Sequence, residues 1–409
     1  MKKWIVLILT GFAAMLYAEH SQYQEMPVET IMMGDFENDT TPRHNEIVRS
    51  TSGNMTEEVT VISADEYFQE DEEMQSSEKV IAQTMQVEMD KPKIALLVPR
   101  KVIGGYANSV ANVILSYLIY GKQNFVFEVF DSQTQSKEAL TLALEKIRHK
   151  GYKIVIAPLT PSGANLLASL EKQMLVYVPT VNIDDVYVEN PNFLYGGIDY
   201  KAQVDALLQY ADKKIVVFDD GSALSKKISD YVHESRLEDI VYSKVIKNVK
   251  ANLSYLFKRN NKLTNASIFL NMPVVKSALV ASQLSRYKVP YKKILSTQVN
   301  YSPLLFTLTQ VSDRERFYIA NAIGKAPFAL EDMNDLIGSD IRYNWIDYAT
   351  SVGLDYLFTD MLSFQQNRIF HEELFGQQIY YNTEIVRTSE GSFVHLDLVN
   401  APLSAEETW

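Results

Sequence analysis

The chain has 409 residues, of which 22% are charged and 46% are hydrophobic, and its formal net charge at pH 7 is −12. A chain of this length buries sizeable cores and is expected to hold more than one domain. It contains no cysteine, which excludes disulfides, thiolate catalysis, thiolate metal sites and an acylated N-terminal cysteine. The acidity lies in the N-terminal part and the remainder from residue 91 is near neutral, so nothing resembles the basic footprint of nucleic-acid-binding domains and no nucleic-acid partner is expected.

Residues 1–18 have the pattern of a secretory signal peptide. Lys2 and Lys3 precede an apolar run at residues 4–16, and Leu-Tyr-Ala at 16–18 is an acceptable cleavage site. The alternative is an uncleaved membrane anchor, but the run is short for the roughly 20 residues that cross a bilayer. We therefore expect a periplasmic protein without a lipid anchor, and without a membrane span once the signal is cleaved.

Residues 19–90 form a strongly acidic segment. It holds 18 Asp and Glu residues against three basic residues, a net charge of −15. Such a composition cannot bury enough apolar surface to offset its chain entropy, so the segment is predicted to be largely disordered. It is either a solubilising linker or an arm that docks on a partner or on a basic surface. Residues 59–63 and 80–89 are apolar enough to form a short strand and a helix on such a surface.

From residue 92 onward, short apolar strands alternate with amphipathic helices, which is typical of buried parallel sheets. A first series covers residues 92–200 and includes helices predicted at about 106–120 and at 137–150. A second series begins near residue 213. Asp199 is well placed to cap the helix at 199–211. A strand at 317–323, a helix at 344–361 and a pair of alternating strands at 378–399 follow.

This order predicts an α/β fold with two Rossmann-like lobes, whose parallel sheets are joined by crossover hinge segments. Lobe I would comprise residues 92–200 and about 330–365. Lobe II would comprise residues 213–323 and about 377–399.

Ligands of parallel sheets bind in the loops that follow the carboxyl ends of the strands, and seven residues there are candidates. Thr160 and Ser162 sit between a strand and a helix, where hydroxyl and free N–H groups hold anions. Ordinary helix capping by Ser162 is the alternative. Asp220, beside Asp219, could bind a cation or a ligand amine, or could only complement the next helix dipole.

The remaining candidates are Arg100, Tyr106, Asn182 and Asn271. Arg100 lies after the first strand and could pair with an anionic ligand or with the acidic segment, or could be solvated. Tyr106 could stack on a ligand or simply begin a helix. Asn182 and Asn271 follow strand ends and could donate hydrogen bonds in a cleft, or could be turn residues.

Motifs that carry catalysis or cofactors are missing from the sequence. It has no nucleophile elbow, no zinc-protease motif, no phosphate loop and no dinucleotide fingerprint. The six histidines are scattered at no metal-ligand spacing. We therefore expect no enzyme activity, no cofactor and no metal site.

The order of elements resembles the type I periplasmic binding protein superfamily, which includes the branched-chain amino acid binding proteins. It is also similar to the C-terminal domain of the penicillin-binding-protein activators. The segments that carry the resemblance are residues 94–99, 130–134, 156–160, 178–182, 215–220 and 294–305. Two departures stand out: the first loop, residues 100–106, is bulky and basic, and Pro161 separates Thr160 from Ser162.

The resemblance implies a non-catalytic protein whose two lobes close on a small polar solute and present the closed form to a membrane transporter or receptor. The alternative is an envelope scaffold or regulator that uses the same fold to bind a protein partner, such as cell-wall synthesis machinery. The altered first loop and the acidic segment favour this alternative.

Overall fold

The computed structural model describes residues 91–122, 125–248, 253–363 and 367–396. The predicted signal peptide at 1–18 and the acidic segment at 19–90 lie outside the described residues. The first series of elements is β1 (Lys93–Val98), α1 (Arg100–Ile103), α2 (Tyr106–Tyr120), β2 (Val126–Asp131), α3 (Lys137–His149), β3 (Ile154–Ile156), α4 (Pro161–Leu170), β4 (Leu175–Val178) and β5 (Phe193–Tyr195).

The second series begins with a helix that Asp199 caps, as predicted, by accepting a hydrogen bond from Ala202 N at 2.9 Å. It contains α5 (Tyr200–Leu208), β6 (Ile215–Asp219), α6 (Ala223–Arg236), β7 (Ile240–Val245), α7 (Ser254–Phe257), β8 (Ser267–Asn271), α8 (Val274–Arg286), β9 (Lys293–Ser296), α9 (Leu304–Leu308), α10 (Val311–Arg314) and β10 (Phe317–Asn321).

The last described part contains two helices and four short strands. They are α11 (Phe328–Ile337), α12 (Trp345–Tyr356), β11 (Glu373–Phe375), β12 (Gln378–Tyr380), β13 (Glu384–Thr388) and β14 (Phe393–His395). Helix α12 continues into a π-helical turn, Leu357–Met361. None of the helices in the described ranges is long and apolar enough to cross a membrane.

The strands form two sheets of seven strands each. Sheet I has the order β11-β12-β5-β4-β3-β1-β2, and sheet II has the order β14-β13-β10-β9-β8-β6-β7. Both sheets are mostly parallel, and antiparallel pairing is confined to β11–β12 in sheet I and to β10–β13 and β13–β14 in sheet II. The predicted α/β fold with two lobes is confirmed, with mixed rather than purely parallel sheets. The exact lobe boundaries stay a prediction.

The C-terminal strands divide between the two sheets. β12 pairs with β5 of sheet I, whereas β13 pairs with β10 of sheet II and turns back into β14. Only residues 381–383 separate β12 from β13. The chain therefore passes between the sheets three times, at residues 196–199, 322–327 and 381–383. Helix α5 packs on β9 and β10 of sheet II, and α11 and α12 pack on α2 beside sheet I.

Tyrosines connect the third of these crossovers to the first, and others lie in or pack against α12. Tyr381 Oη, in the third crossover, donates to Gly196 O in the first at 2.7 Å. Tyr177 Oη donates to Ala349 O of α12 at 2.6 Å, and Tyr348 bonds to Glu372. A Cβ atom on Gly353 of α12 would lie 2.0 Å from the Tyr177 ring, so only glycine lets this ring pack so closely. The first and third crossovers are thus tied to one another.

Candidate functional site

The carboxyl edges of the two sheets face each other. An ion pair joins Asp185, in the loop after β4 of sheet I, to Lys227 in the first turns of α6, which follows β6 of sheet II. Burial lowers the pKa of Lys227, but the Asp185 carboxylate more than compensates, so the net pKa is raised. Lys227 therefore stays charged, and the ion pair bridges the cleft between the lobes.

A second contact between the sheets is aromatic. Tyr343 lies two residues before the start of α12, and its ring centroid lies 5.5 Å from that of Tyr301 and 6.3 Å from that of Phe393. Tyr301 follows β9, and Phe393 is the first residue of β14, so both belong to sheet II. Both a charged contact and an apolar contact therefore join the two lobes.

The first loop after β1 is held by its own lobe. The Arg100 side chain is half exposed, and its Nε lies 3.4 Å from Asp131 Oδ2 at the end of β2. Arg100 Nη1 also donates to Asn108 Oδ1 at 3.2 Å. Tyr106 is the first residue of α2, and it packs against the core. In this arrangement the guanidinium joins β2 to α2.

The loop after β3 places a glutamine against the candidate threonine. Thr160, which is 3% exposed, caps α4 by accepting from Gly163 N at 3.2 Å. Its hydroxyl donates to Gln135 Oε1 at 2.6 Å and lies 3.0 Å from the hydroxyl of exposed Ser162. A Cβ atom on Gly163 would lie 1.9 Å from Gln135 Oε1. The Gln135 amide therefore covers the N-terminus of α4, and the cap is Thr160 rather than Ser162.

Asn182 joins the loop after β4 to the first crossover. Its Oδ1 accepts from Asp184 N at 3.0 Å, which caps the short 3₁₀ turn Ile183–Asp185. Its Nδ2 donates to Gly197 O at 3.1 Å. Both functional groups of this side chain are engaged inside the protein.

Asp220 lies at the end of β6 and is only 8% exposed. Its Oδ1 accepts hydrogen bonds from Ser222 N at 3.1 Å and Ser225 Oγ at 2.7 Å, and its Oδ2 forms an ion pair with Lys276 of α8. Burial raises the pKa of Asp220, but the bonds from Lys276, Ser222 and Ser225 outweigh burial and lower it. Asp220 is therefore a stabilised carboxylate.

The neighbouring Asp219 behaves differently. It is also buried, and burial raises its pKa; the Gly221 N–H lowers it in part, and the nearby Asp220 carboxylate raises it again. The net shift is upward. The pKa values of the two adjacent carboxyls are thus shifted in opposite directions, because only Asp220 has a cationic partner in contact.

Asn271, at the end of β8, is fully buried. Its Nδ2 donates to Ser229 Oγ of α6 at 2.9 Å. Its Oδ1 has no hydrogen-bond donor among the described residues. Thr297 Oγ1 after β9 is likewise without a partner there, and the donor Gln135 Nε2 after β2 has no acceptor. Buried polar groups usually have partners, so the hydrogen bonding of the site is incomplete at these atoms.

The partners of the candidate residues were not predicted from the sequence. Gln135, Asp185, Lys227 and Lys276 all lie in loops or first helical turns that follow strands. The rule that ligands bind in the loops after the carboxyl ends of the strands would have included these residues if it had been applied to the loop after every strand. Within the described ranges no group of three or more His, Asp and Glu residues is placed to hold a metal ion. The arrangement offers charges and hydrogen bonds for binding.

Comparison with solved structures supports the fold. No family model and no curated protein sequence matches the chain. A branched-chain amino acid ABC transporter structure from Thermus thermophilus with bound valine is similar over 75% of this chain and 95% of that chain, with 14% identity and a TM-score of 0.55. The LivJ substrate-binding protein from Streptococcus pneumoniae in complex with isoleucine is similar over 74% and 98%, with 12% identity and a TM-score of 0.52.

The LpoA C-domain from Haemophilus influenzae, a regulator of PBP1A, is similar over 74% of this chain and 99% of that chain, with 11% identity and a TM-score of 0.48. The likeness to the two amino acid transport proteins confirms that the chain has the type I periplasmic binding protein fold. At these identities, what is shared is the fold.

Proposed function

We propose that this chain is a non-catalytic binding protein of the bacterial envelope that acts by contact with a protein partner. The observation that carries the proposal is that candidate cleft residues are already bound by neighbouring side chains of the protein. Arg100 is paired with Asp131, Thr160 with Gln135, and Asp220 with Lys276. The polar groups at the carboxyl edges thus serve to hold the loops in place.

The energetics favour this assignment. A small ligand would have to exchange an existing internal hydrogen bond for a new one, and the net value of one such bond is only about 0.5–1.5 kcal/mol. Separating the Asp220 carboxylate from Lys276 would leave a charge in a buried site, which costs several kcal/mol. The cleft is also bridged by the ion pair between Asp185 and Lys227. A solute therefore gains little from these side chains.

Closure on a small polar solute is the second candidate function, and a specific observation favours it. Gln135 Nε2, Asn271 Oδ1 and Thr297 Oγ1 are buried without partners among the described residues. A polar solute between the lobes would satisfy such atoms, each of which costs about 1–3 kcal/mol when left unpaired. The Asp185–Lys227 pair would then be the latch of the closed form, and a membrane transporter or receptor would recognise that form.

Native mass spectrometry of the protein purified from its own envelope fraction tests the proposal, together with thermal-shift screening of amino acids, short peptides and anions. We expect protein subunits to co-purify and no compound to raise the melting temperature. A co-purifying small molecule with a shift of several degrees would establish the solute-binding function instead. Thr160→Ala should then remove that shift, while Ser169→Ala, on the same helix but outside the loop, should keep it.

A further inference from the structure

The edge strand β7 of sheet II has one free side. It pairs in parallel with β6 alone, with a register shift at Val241 and regular pairing from Tyr242 to Val245. Ile246 N donates to Asp219 O at 2.7 Å. Because the backbone groups of a parallel strand alternate between its two sides, those of Ser243 and Val245 point away from β6. No strand among the described residues covers that side.

The surface around this free edge is apolar and basic. Val241 and Val245 are 40% and 43% exposed, and Tyr255 of α7 is 69% exposed. Lys262 Nζ lies 5.1 Å from the ring centroid of Tyr242 on β7. In the sequence, residues 240–262 contain six Lys and Arg residues and no Asp or Glu. Lysines on an edge strand ordinarily prevent it from pairing with strands of other chains. A strand flanked by acidic residues would instead be attracted to these lysines.

The chain itself contains a segment of this kind. Residues 59–63 read Val-Thr-Val-Ile-Ser, a run rich in the β-branched residues that favour strands. Eight Asp and Glu residues and no Lys or Arg occur in residues 57–73, which include this run. The segment thus combines strand propensity with the charge opposite to that around β7.

We propose that residues 59–63 add to the free edge of β7 as an eighth strand of sheet II, with the flanking carboxylates on the lysines around Lys244 and Lys247. The chain between residues 63 and 93 can span up to roughly 100 Å, whereas a folded unit of about 300 residues has a radius of gyration of about 19 Å. The chain between residues 63 and 93 is therefore long enough to place residues 59–63 beside β7. The contact does not depend on which partner or solute the lobes bind.

Charge also distinguishes this edge of sheet II from the edge of sheet I that is formed by β2. β2 is the other six-residue edge strand, and its acidic residues Glu128 and Asp131 are already paired with Lys150 and Arg100. Acidic residues flanking an added strand would therefore find no excess positive charge there, whereas the lysines at β7 would attract them. A protein partner that offers its own strand to β7 would first have to displace the acidic segment, which makes the segment a self-inhibitory strand.

Cross-linking in the full chain tests the contact directly, because the absence of cysteine leaves engineered thiols as the only ones. The Val61→Cys/Val245→Cys variant should form an intramolecular link with a short bismaleimide. The matched control is Val61→Cys/Leu142→Cys, since Leu142 of α3 is likewise exposed, at 55%. Adding Lys244→Glu and Lys247→Glu, or about 1 M salt, should reduce the yield several-fold, because salt screens exposed charges within about 3 Å.

Hydrogen exchange of the full chain provides the second readout. We expect the amides of Ser243 and Val245 to exchange about ten-fold faster in Val61→Pro, because proline removes a donor and breaks the added strand. Ser76→Pro, outside the strand segment, should leave their exchange unchanged. Equal exchange in the wild type and Val61→Pro, or no more cross-linking than in the Leu142 control, overturns the proposal. Links that form only between two chains would assign the edge to a second copy instead.

Discussion

At the residue scale, the buried carboxylate of Asp220 is the most consequential group at the carboxyl edge of sheet II. Its folded-state pKa is lowered by Lys276, Ser222 and Ser225 against the effect of burial. Stability from such a group is present above the unfolded-state pKa of about 3.9 and is lost as the pH falls through the folded-state pKa. The ion pair with Lys276 thus contributes at neutral pH and not in acid.

We expect Asp220→Asn to lower the free energy of unfolding by about 2 kcal/mol at neutral pH, because Lys276 loses its counter-charge. The difference from the wild type should shrink towards the lowest pH at which both proteins stay folded. Urea unfolding over this pH range measures it. Asp332→Asn, at an exposed position of α11, should have little effect at any pH. A loss that is the same in acid and at neutral pH would contradict the ionic role.

The limits of the sequence are clearest at single residues. The cap at Asp199 was predictable because N-caps depend on local backbone geometry. The bond from Thr160 to Gln135 and the pair of Asp220 with Lys276 were not, because they join loops from different strands. Such contacts follow from the order of strands in the sheet. The sequence could therefore propose the candidate residues but could not supply their partners.

At the scale of elements, local periodicity predicted the regular helices well. The helix predicted at 106–120 is observed as Tyr106–Tyr120, and the one at 137–150 as Lys137–His149. Helix α11 was not predicted. Its apolar residues Phe328 and Leu336 are 73% and 85% exposed, while its polar residue Asn334 is fully buried. The helix is amphipathic as a whole, but these three positions depart from the arrangement of apolar residues inside and polar residues outside.

The crossovers allow a prediction at the same scale. Tyr381 is partly buried and packs against the core, and burial raises the pKa of its phenol well above the usual value, so the hydroxyl remains a donor to Gly196 O. Tyr381→Phe should cost about 1–2 kcal/mol of unfolding free energy, because the carbonyl loses a buried partner. Tyr380→Phe is the matched control, since that ring is 49% exposed. A loss in Tyr381→Phe that is no larger than the loss in Tyr380→Phe would contradict a specific contribution of the bond to Gly196 O.

At the scale of the whole molecule, the relative position of the lobes rests mainly on buried contacts. The ion pair of Asp185 and Lys227 is partly exposed, with side-chain exposures of 18% and 32%. Partly exposed pairs contribute only about 1 kcal/mol or less. The tyrosines of the crossovers and the aromatic contact of Tyr343 with Tyr301 lie in or against the core. The lobes should therefore stay closed without the ion pair.

Small-angle scattering of Asp185→Asn tests this expectation. We expect the radius of gyration to match that of the wild type, with a loss of less than about 1 kcal/mol in unfolding free energy. Asp205→Asn, which removes the exposed pair with Lys201, should behave in the same way. A larger radius of gyration in Asp185→Asn alone would show a hinge that one latch holds shut, as the solute-binding function requires.

The division of the last strands between the sheets also governs how the chain acquires its structure. Sheet I takes two strands from residues 373–380 and sheet II takes two from residues 384–395, near the C-terminal end of the described chain. Neither lobe can therefore be completed while the ribosome is still producing these residues. Pairing between positions so far apart in sequence is slow. The two lobes consequently reach their final form together. A chain interrupted before residue 373 would leave one side of β5 in sheet I and one side of β10 in sheet II unpaired.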